Sequence, residues 1–364
     1  MIRTKKILHR QCWRNIFLII LVHVVFLCGI CLFWWLYPRI YMHIAYMKMD
    51  FLMPNSKQII NDFRQTGNTK VKPFNSFVKE DAYKIDPSEH FCDNTACGSL
   101  QMLFVVKSHV MNFGHRYAIR KTWGGVKQLR TKIVFIIGYT EFATPFIEEE
   151  LKQYNDIVQL NIIDTYENLV YKTIYSIFWL LDLNIETEFI HFVDDDRLVN
   201  TLNVYNIAST QIAPSDLVMI GHKLNYPRPQ RDVTSKVYLS PAEYPFSYLP
   251  SHIIGGTVLT NMKTVKMLAI GVSYVKVIPI EDSYFGIVAA AFNIEMRHHS
   301  GFLRYEMRAN VLPYILSSPG YENIYALIRD WKLIKRRGFT FRPAMYIYNS
   351  WSLLFDRYVF SLNR

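Results

Sequence analysis

Three consecutive carboxylates, Asp194-Asp195-Asp196, follow directly on the apolar run Phe189-Ile190-His191-Phe192-Val193. The run reads as a buried strand, so the acids fall at its C-terminal end, where open α/β sheets collect their ligands. Adjacent carboxylates repel one another unless a cation neutralises them. Hard oxygen ligands suit Mg²⁺ or Mn²⁺, which in turn handle phosphate-bearing substrates. The competing reading is a polar loop after a strand, with one Asp capping the next helix. A second acidic pair, Glu281-Asp282, precedes the helical stretch Ser283–Phe292. It offers either a general base at a cleft edge or a plain helix cap.

These residues need a scaffold. From Leu100 the chain alternates short apolar runs with helical segments. Leu100–Val106, Lys132–Ile137, Ile157–Leu160 and Glu188–Val193 are rich in strand formers, and His115–Trp123, Pro145–Tyr154 and Asn168–Leu183 have helical character. Strands alternating with helices predict an α/β fold with a largely parallel sheet covered on both faces. The second half is less regular. Leu217–Gly221 and Val275–Ile280 read as strands, Tyr226–Pro250 as a long Pro/Tyr-rich loop, and Tyr321–Arg336 as a helix with Trp331 on its apolar face. Glu148-Glu149-Glu150 reads as a solvated helix face.

Near the N-terminus, residues 16–37 are almost unbroken apolar sequence. At 1.5 Å per residue about 22 residues cover ~33 Å, enough for a bilayer. Arg3, Lys5, Lys6, Arg10 and Arg14 precede the run and only Arg39 closely follows it. That bias predicts a cytosolic tail (1–15), a single retained signal anchor (16–37), a luminal stem (38–98) and a luminal domain (99–364). A cleaved signal peptide would have a shorter core and a small-residue cleavage site. The net charge of +11 includes that cytosolic flank; the rest favours an anionic ligand or membrane surface. On the luminal side nucleic acid is not an expected partner. Of five cysteines, Cys12 sits at the cytosolic boundary, Cys28 and Cys31 fall in the span, and Cys92 and Cys97 would meet an oxidising lumen.

Four blocks, in order, resemble the β-1,3-glycosyltransferases of the galactosyltransferase and N-acetylglucosaminyltransferase type, with the fringe-like enzymes more distant. The first runs from Lys107-Ser108 through Arg116-Tyr117-Ala118-Ile119-Arg120-Lys121-Thr122-Trp123-Gly124, similar to R-x-x-I-R-x-T-W-G. The second is Asp164-Thr165-Tyr166-Glu167-Asn168-Leu169 with Lys172, similar to D-x-Y-x-N-L-x-x-K. The third is Phe192 to Asn200, similar to a D-x-D block ending V-N, and the fourth is Ile280 to Gly286, similar to E-D-V-Y-x-G. Lys236, Tyr238, Tyr244, Tyr248, Pro250 and Gly256 add weaker support.

The resemblance implies a GT-A fold, a UDP-sugar donor (UDP-galactose or UDP-N-acetylglucosamine), Mn²⁺ or Mg²⁺, inversion at the anomeric carbon, and a Golgi membrane protein of type II. It assigns Asp194 and Asp196 to the metal, with Asp196 as the direct ligand, and leaves Asp195 either pointing away or contacting ribose. Asp282 takes the position of the base, with Glu281 in support. Arg116 and Arg120 either face the nucleotide or tie the first helix to the acidic second half through buried ion pairs. Asp164 and Lys172 either touch the donor or organise a helix start, and Trp123 reads as core. Tyr244 and Tyr248 either stack on the acceptor, a glycan on protein or lipid, or fill the loop's own core.

Several positions depart from the family pattern. Phe192 replaces a common Lys, Arg197 breaks an apolar pair, and Ile254 stands where Gly is common. The stretch Tyr314-Ile315-Leu316-Ser317-Ser318 lacks the family's histidine, for which His298 or His299 is a candidate substitute. An inactive luminal glycan-binding or transferase-partner protein is therefore the alternative. A two-metal phosphohydrolase would need a second acidic or histidine cluster, which the sequence does not offer.

Overall fold

The computed structural model describes residues 20–36, 49–91, 99–183, 185–307 and 311–337. The chain divides into two compact units, Met1–Leu52 and Met53–Arg364. In the first, residues 20–36 form one helix with exposed apolar side chains. Among the described residues no helix is long and apolar enough to cross a membrane. The tail (1–15), both ends of the expected span, Cys12, Cys92 and Cys97 lie outside the described residues.

The second unit is a mixed, mostly parallel sheet flanked by helices. In chain order its elements are α1 (Ser56–Thr66), β1 (Tyr83–Ile85), β2 (Leu100–Lys107), α2 (Phe113–Lys121), β3 (Thr131–Tyr139), α3 (Thr144–Leu151), β4 (Ile157–Ile163), α4 (Leu169–Asp182) and β5 (Thr187–Asp194). Then come β6 (Leu198–Val199), α5 (Thr201–Gln211), β7 (Val218–Gly221), β8 (Lys223–Leu224), β9 (His252–Ile253), β10 (Thr257–Thr260), α6 (Met262–Tyr274), α7 (Glu281–Ala291), β11 (Glu295–His298), β12 (Ser317–Ser318) and α8 (Ile324–Arg337).

The main sheet runs β1-β4-β3-β2-β5-β10-β7-β11. β4, β3, β2 and β5 are mutually parallel, β10 is antiparallel to both β5 and β7, and β11 is parallel to β7. Met102, Leu103, Phe104, Val105 and Val106 of β2 are all fully buried. That is what a continuous apolar run in a two-sided parallel strand produces. Met102, Phe104 and Val106 point to one face, where they pack with Ile119, Trp123, Ile147, Val204 and Trp331. α4, α6 and α7 pack together over the opposite face.

The chain order reverses between β2 and β5. From β2 the sheet grows through β3 to β4, and β5 then returns to the other side of β2. Ligand crevices of open α/β sheets form at such a switch, outside the carboxyl ends of the strands. Lys107 and Asp194 are register partners at those two ends. The segment Ser317-Ser318 is brought to the same place by pairing with Val199 and Leu198.

Four expectations are corrected. The compact unit starts before residue 99. β1 pairs with β4, and Asn75 Nδ2 donates to the carbonyls of Val272 and Val275 at 2.7 and 2.6 Å, so much of the expected stem is part of the fold. Gly67, at φ 70°, ends α1 in the left-handed conformation that favours glycine. Val275–Ile280 forms no strand; the sheet position instead goes to Thr257–Thr260, too short a run to stand out. Glu281 and Asp282 are not caps: Ile280 is the N-cap of α7, and both acids lie in its first turn. Glu150 is not a solvated residue of α3, since its side chain is only 9% exposed.

Candidate active site

The site assembles around Lys107. Its Nζ lies 2.7 Å from both carboxylate oxygens of Glu281, 3.1 Å from Asp194 Oδ1 and 3.1 Å from the Gly255 carbonyl. The lysine side chain is 1% exposed and that of Glu281 6%. Burial alone would pull the ammonium's pKa down, but Asp194 and Glu281 outweigh it and hold it above the ordinary lysine value. Burial pushes Glu281 up to about 7, against the pull of Lys107 and with Asp194 and Asp282 adding to the rise. Thr173 of α4 also donates to Glu281. Lys107 thus joins the acidic end of β5 to the acidic start of α7.

Asp282 is half-buried and its side chain has no hydrogen-bond partner among the described residues. It borders an apolar cavity lined by Ile177, Phe192, Met219, Val258 and Leu268. Its charge is felt by Tyr166, whose hydroxyl burial, Asp282, Glu281 and Asp194 push up to about 12. Burial lowers the pKa of His252, and Asp282 opposes that shift. An unpaired carboxylate in the first turn of a helix, facing a crevice, is free to accept a proton.

The turn Gly255-Gly256 separates the two acidic groups. A Cβ on Gly255 would come within 3.1 Å of both Asp282 Oδ1 and Glu281 Oε2. One on Gly256 would lie 3.0 Å from Asp194 Oδ2 and from Arg197 Nη1. A side chain at either place would crowd these carboxylates.

Within the D-x-D block the three acids differ. Asp195 is buried and fixed, accepting from Ser108 Oγ at 2.6 Å and Asn112 Nδ2 at 3.0 Å. Asp194 Oδ1 is buried and lies near Lys107 but outside hydrogen-bonding geometry. Asp196 has no side-chain partner among the described residues, and burial, then Asp194, pushes it up to about 6. Among the described residues no three His, Cys, Asp or Glu stand close enough to hold an ion. Two under-satisfied carboxylates fit a Mg²⁺ or Mn²⁺ ion that completes its shell with substrate phosphate and water. His299 is buried, accepts from the Gly301 amide at 3.1 Å, and is pulled down to about 4 by burial and His298. His298 Nδ1 accepts from the Lys223 amide at 3.2 Å.

The shift at Asp196 has a sign that can be tested. The folded state holds its proton more tightly than the unfolded chain, so stability falls as pH rises from about 4 to about 6, and the loss persists above. Asp196→Asn should therefore stabilise the chelator-treated protein at pH 8 by about 2–3 kcal/mol and flatten the difference in melting between pH 5 and pH 8. An Asn variant that melts with the parent pH dependence would contradict this reading.

The other expected site residues are engaged internally. Arg116, fully buried, donates to Glu150 through Nε and Nη2, to Ser108 Oγ, and to the carbonyls of His109 and Val110. Arg120 bridges Glu150 and Asp156, with contacts of 2.6 Å to each. These are buried ion pairs, but their acids lie in α3 and just before β4, not in the acidic second half as expected. Asp164 accepts from the amides of Val110 and Gly138 at 2.8 and 3.0 Å and pairs with Lys172 Nζ at 2.5 Å. Lys172 also reaches the Ser108 carbonyl, and burial, opposed by Asp164, lowers its pKa. Both residues brace the β2–α2 loop that holds Asp195. Trp123 is core, its Nε1 donating to the Arg197 carbonyl at 3.0 Å. Tyr244 is buried and its hydroxyl donates to the Tyr248 carbonyl, whereas Tyr248 is half-buried beside Arg228.

Sequence reasoning gave no role to Lys107, Tyr166, His252 or Arg197. Lys107 closes an apolar strand and pairs in register with Asp194, a signal visible only once the pairing of β2 with β5 is known.

The family model for galactosyltransferases matches residues 114–300, just over half of the chain. A β-1,3-galactosyltransferase of Drosophila melanogaster is 30% identical over 56% of this chain and 63% of its own length. An N-acetyllactosaminide β-1,3-N-acetylglucosaminyltransferase of Homo sapiens is 26% identical over 58% of this chain and 57% of its own length. The chain thus spans less than two thirds of either relative. A solved galactosyltransferase in complex with donor and acceptor sugar analogs overlays with a TM-score of 0.34 at 9% identity, over 67% of this chain and 99% of that one, a likeness too slight to bear on the assignment. By the family match, which covers β5 and its acidic end, the Gly255-Gly256 turn and α7, this chain belongs to the galactosyltransferase family.

Proposed function

We propose that the chain is an inverting hexosyltransferase of GT-A type. It would move galactose, or alternatively N-acetylglucosamine, from a UDP-sugar to a glycan hydroxyl on protein or lipid, forming a β-1,3 linkage. The observation that supports this most is the Asp282 carboxylate, without a hydrogen-bond partner among the described residues, across the Gly255-Gly256 turn from Asp194.

In this reading Asp282 accepts the proton of the acceptor hydroxyl as that oxygen bonds to the anomeric carbon. The bond from that carbon to the diphosphate oxygen breaks on the opposite face, and the electron pair leaves with UDP. Asp194 and Asp196 would hold Mn²⁺ or Mg²⁺, which when bound supplies positive charge to the leaving diphosphate. Glu281, anchored by Lys107, fixes the first turn of α7 and so the position of Asp282. Asp195, held by Ser108 and Asn112, keeps the D-x-D loop in register with β2.

The apolar run of residues 16–37 and the basic residues before it support a single-pass type II anchor with the transferase domain in the Golgi lumen. An inactive glycan-binding role is not favoured, since Asp194, Asp196 and Asp282 are all retained.

The test is the full-length protein, solubilised in detergent, incubated with a panel of UDP-sugars and acceptor glycans. The expected result is sugar transfer from UDP-galactose or UDP-N-acetylglucosamine. Tight UDP binding with no transfer to any acceptor across the panel would favour the inactive alternative.

A further inference from the structure

Arg197 brings a buried positive charge to the crevice, at a position where the family pattern has an apolar residue. It is 4% exposed. Nε donates to Ser317 Oγ at 3.0 Å and Nη2 to the Leu303 carbonyl at 2.6 Å, so the guanidinium is clamped on two sides. Its main chain is held by Trp123 Nε1. Nη1 makes no hydrogen bond or ion pair among the described residues. It lies 3.0 Å from the point a Gly256 Cβ would occupy, and Asp194 Oδ2 lies 3.0 Å from that same point. Nη1 and Asp194 Oδ2 thus both lie against Gly256, the Asp194 side chain is one-third exposed, and Arg197 feels the charges of both Asp194 and Asp196.

A guanidinium so held keeps its charge and its geometry without reorganising, which suits it to bind phosphate oxygens. The same charge repels a free divalent ion and offsets part of the carboxylate charge that would attract one. We propose that Arg197 shifts this site from cation-led to arginine-assisted nucleotide binding: Nη1 contacts the diphosphate, UDP binds without a divalent ion, and the ion alone binds weakly. The nucleotide half rests on the transferase reading; the cation half does not.

The experiment is calorimetric titration of the full-length protein, in detergent, with UDP in chelator, with UDP in Mn²⁺, and with Mn²⁺ alone. The parent protein should bind UDP in chelator within about tenfold of its affinity in Mn²⁺. Arg197→Leu should lose chelator-insensitive UDP binding by about 10–100-fold and gain Mn²⁺ affinity by a similar factor, while Arg197→Lys keeps the parent behaviour in large part. Parent UDP binding that vanishes in chelator would overturn the proposal, as would an Arg197→Leu variant with parent Mn²⁺ affinity. Should the leucine variant not fold, Arg197→Gln, which can still donate to Ser317, replaces it in both titrations with the same expectations. Absence of UDP binding under every condition would refute the nucleotide reading itself, and the Mn²⁺ titrations would still decide whether Arg197 opposes the ion.

Discussion

Asp282→Asn is expected to lower kcat by about 10²–10⁴-fold while UDP affinity stays nearly unchanged. The side chain keeps its size and its place in the first turn of α7 but can no longer take a proton. Because Asp282 makes no hydrogen bond among the described residues, the substitution breaks no structural contact there, and the melting temperature should hold. The loss should appear in kcat more than in KM, as expected for an interaction needed in the transition state. Steady-state kinetics beside UDP calorimetry separate the two quantities. Parent-like turnover would remove Asp282 from the mechanism; a parallel loss of UDP binding would make it a donor-site residue instead.

Lys107→Met should have the largest effect on stability. It leaves Glu281, 6% exposed, without the cation that lies 2.7 Å from both of its oxygens. Removing one partner of a buried pair costs about 3–5 kcal/mol, because the other charge stays buried and uncompensated. Part of that loss is relieved if Glu281 takes up a proton, toward which burial already pushes it. The double variant Lys107→Met with Glu281→Gln should therefore be less destabilised than the sum of the two single variants. Thermal melting of the full-length protein and its three variants gives the comparison. Additive losses would show that the pair does not act as a unit. Activity should fall in Lys107→Met even where it remains folded, since Lys107 also positions the start of α7 against Asp194.

How much of this was legible in the sequence depends on the range of the interaction involved. β2 and β5 were readable because a strand buried on both faces is one continuous apolar run. The D-x-D block and Glu281-Asp282 stood out because carboxylates next to such elements need a reason. β1 and β10 were not readable: three and four residues carry too little periodicity, and each exists only through pairing with a distant strand. The same holds for side chains. Glu150 looked like one of three solvated acids because nothing local shows that Arg116 and Arg120 converge on it. Arg197 and the missing histidine of residues 314–318 looked like two separate departures. The pairing of β6 with β12 makes them one, since Arg197 Nε donates to Ser317. Lys107 stands within a motif, but its role becomes visible only when the register places it opposite Asp194.

In the proposed mechanism a carboxylate on α7, Asp282, deprotonates an acceptor hydroxyl on the face opposite a departing UDP. The most direct measurement is the anomeric configuration of the product, by NMR, after the full-length protein transfers sugar from an α-linked UDP-sugar to an acceptor glycan. A β-linked product, formed by the parent and not by Asp282→Asn, is the predicted result. An α-linked product would contradict it.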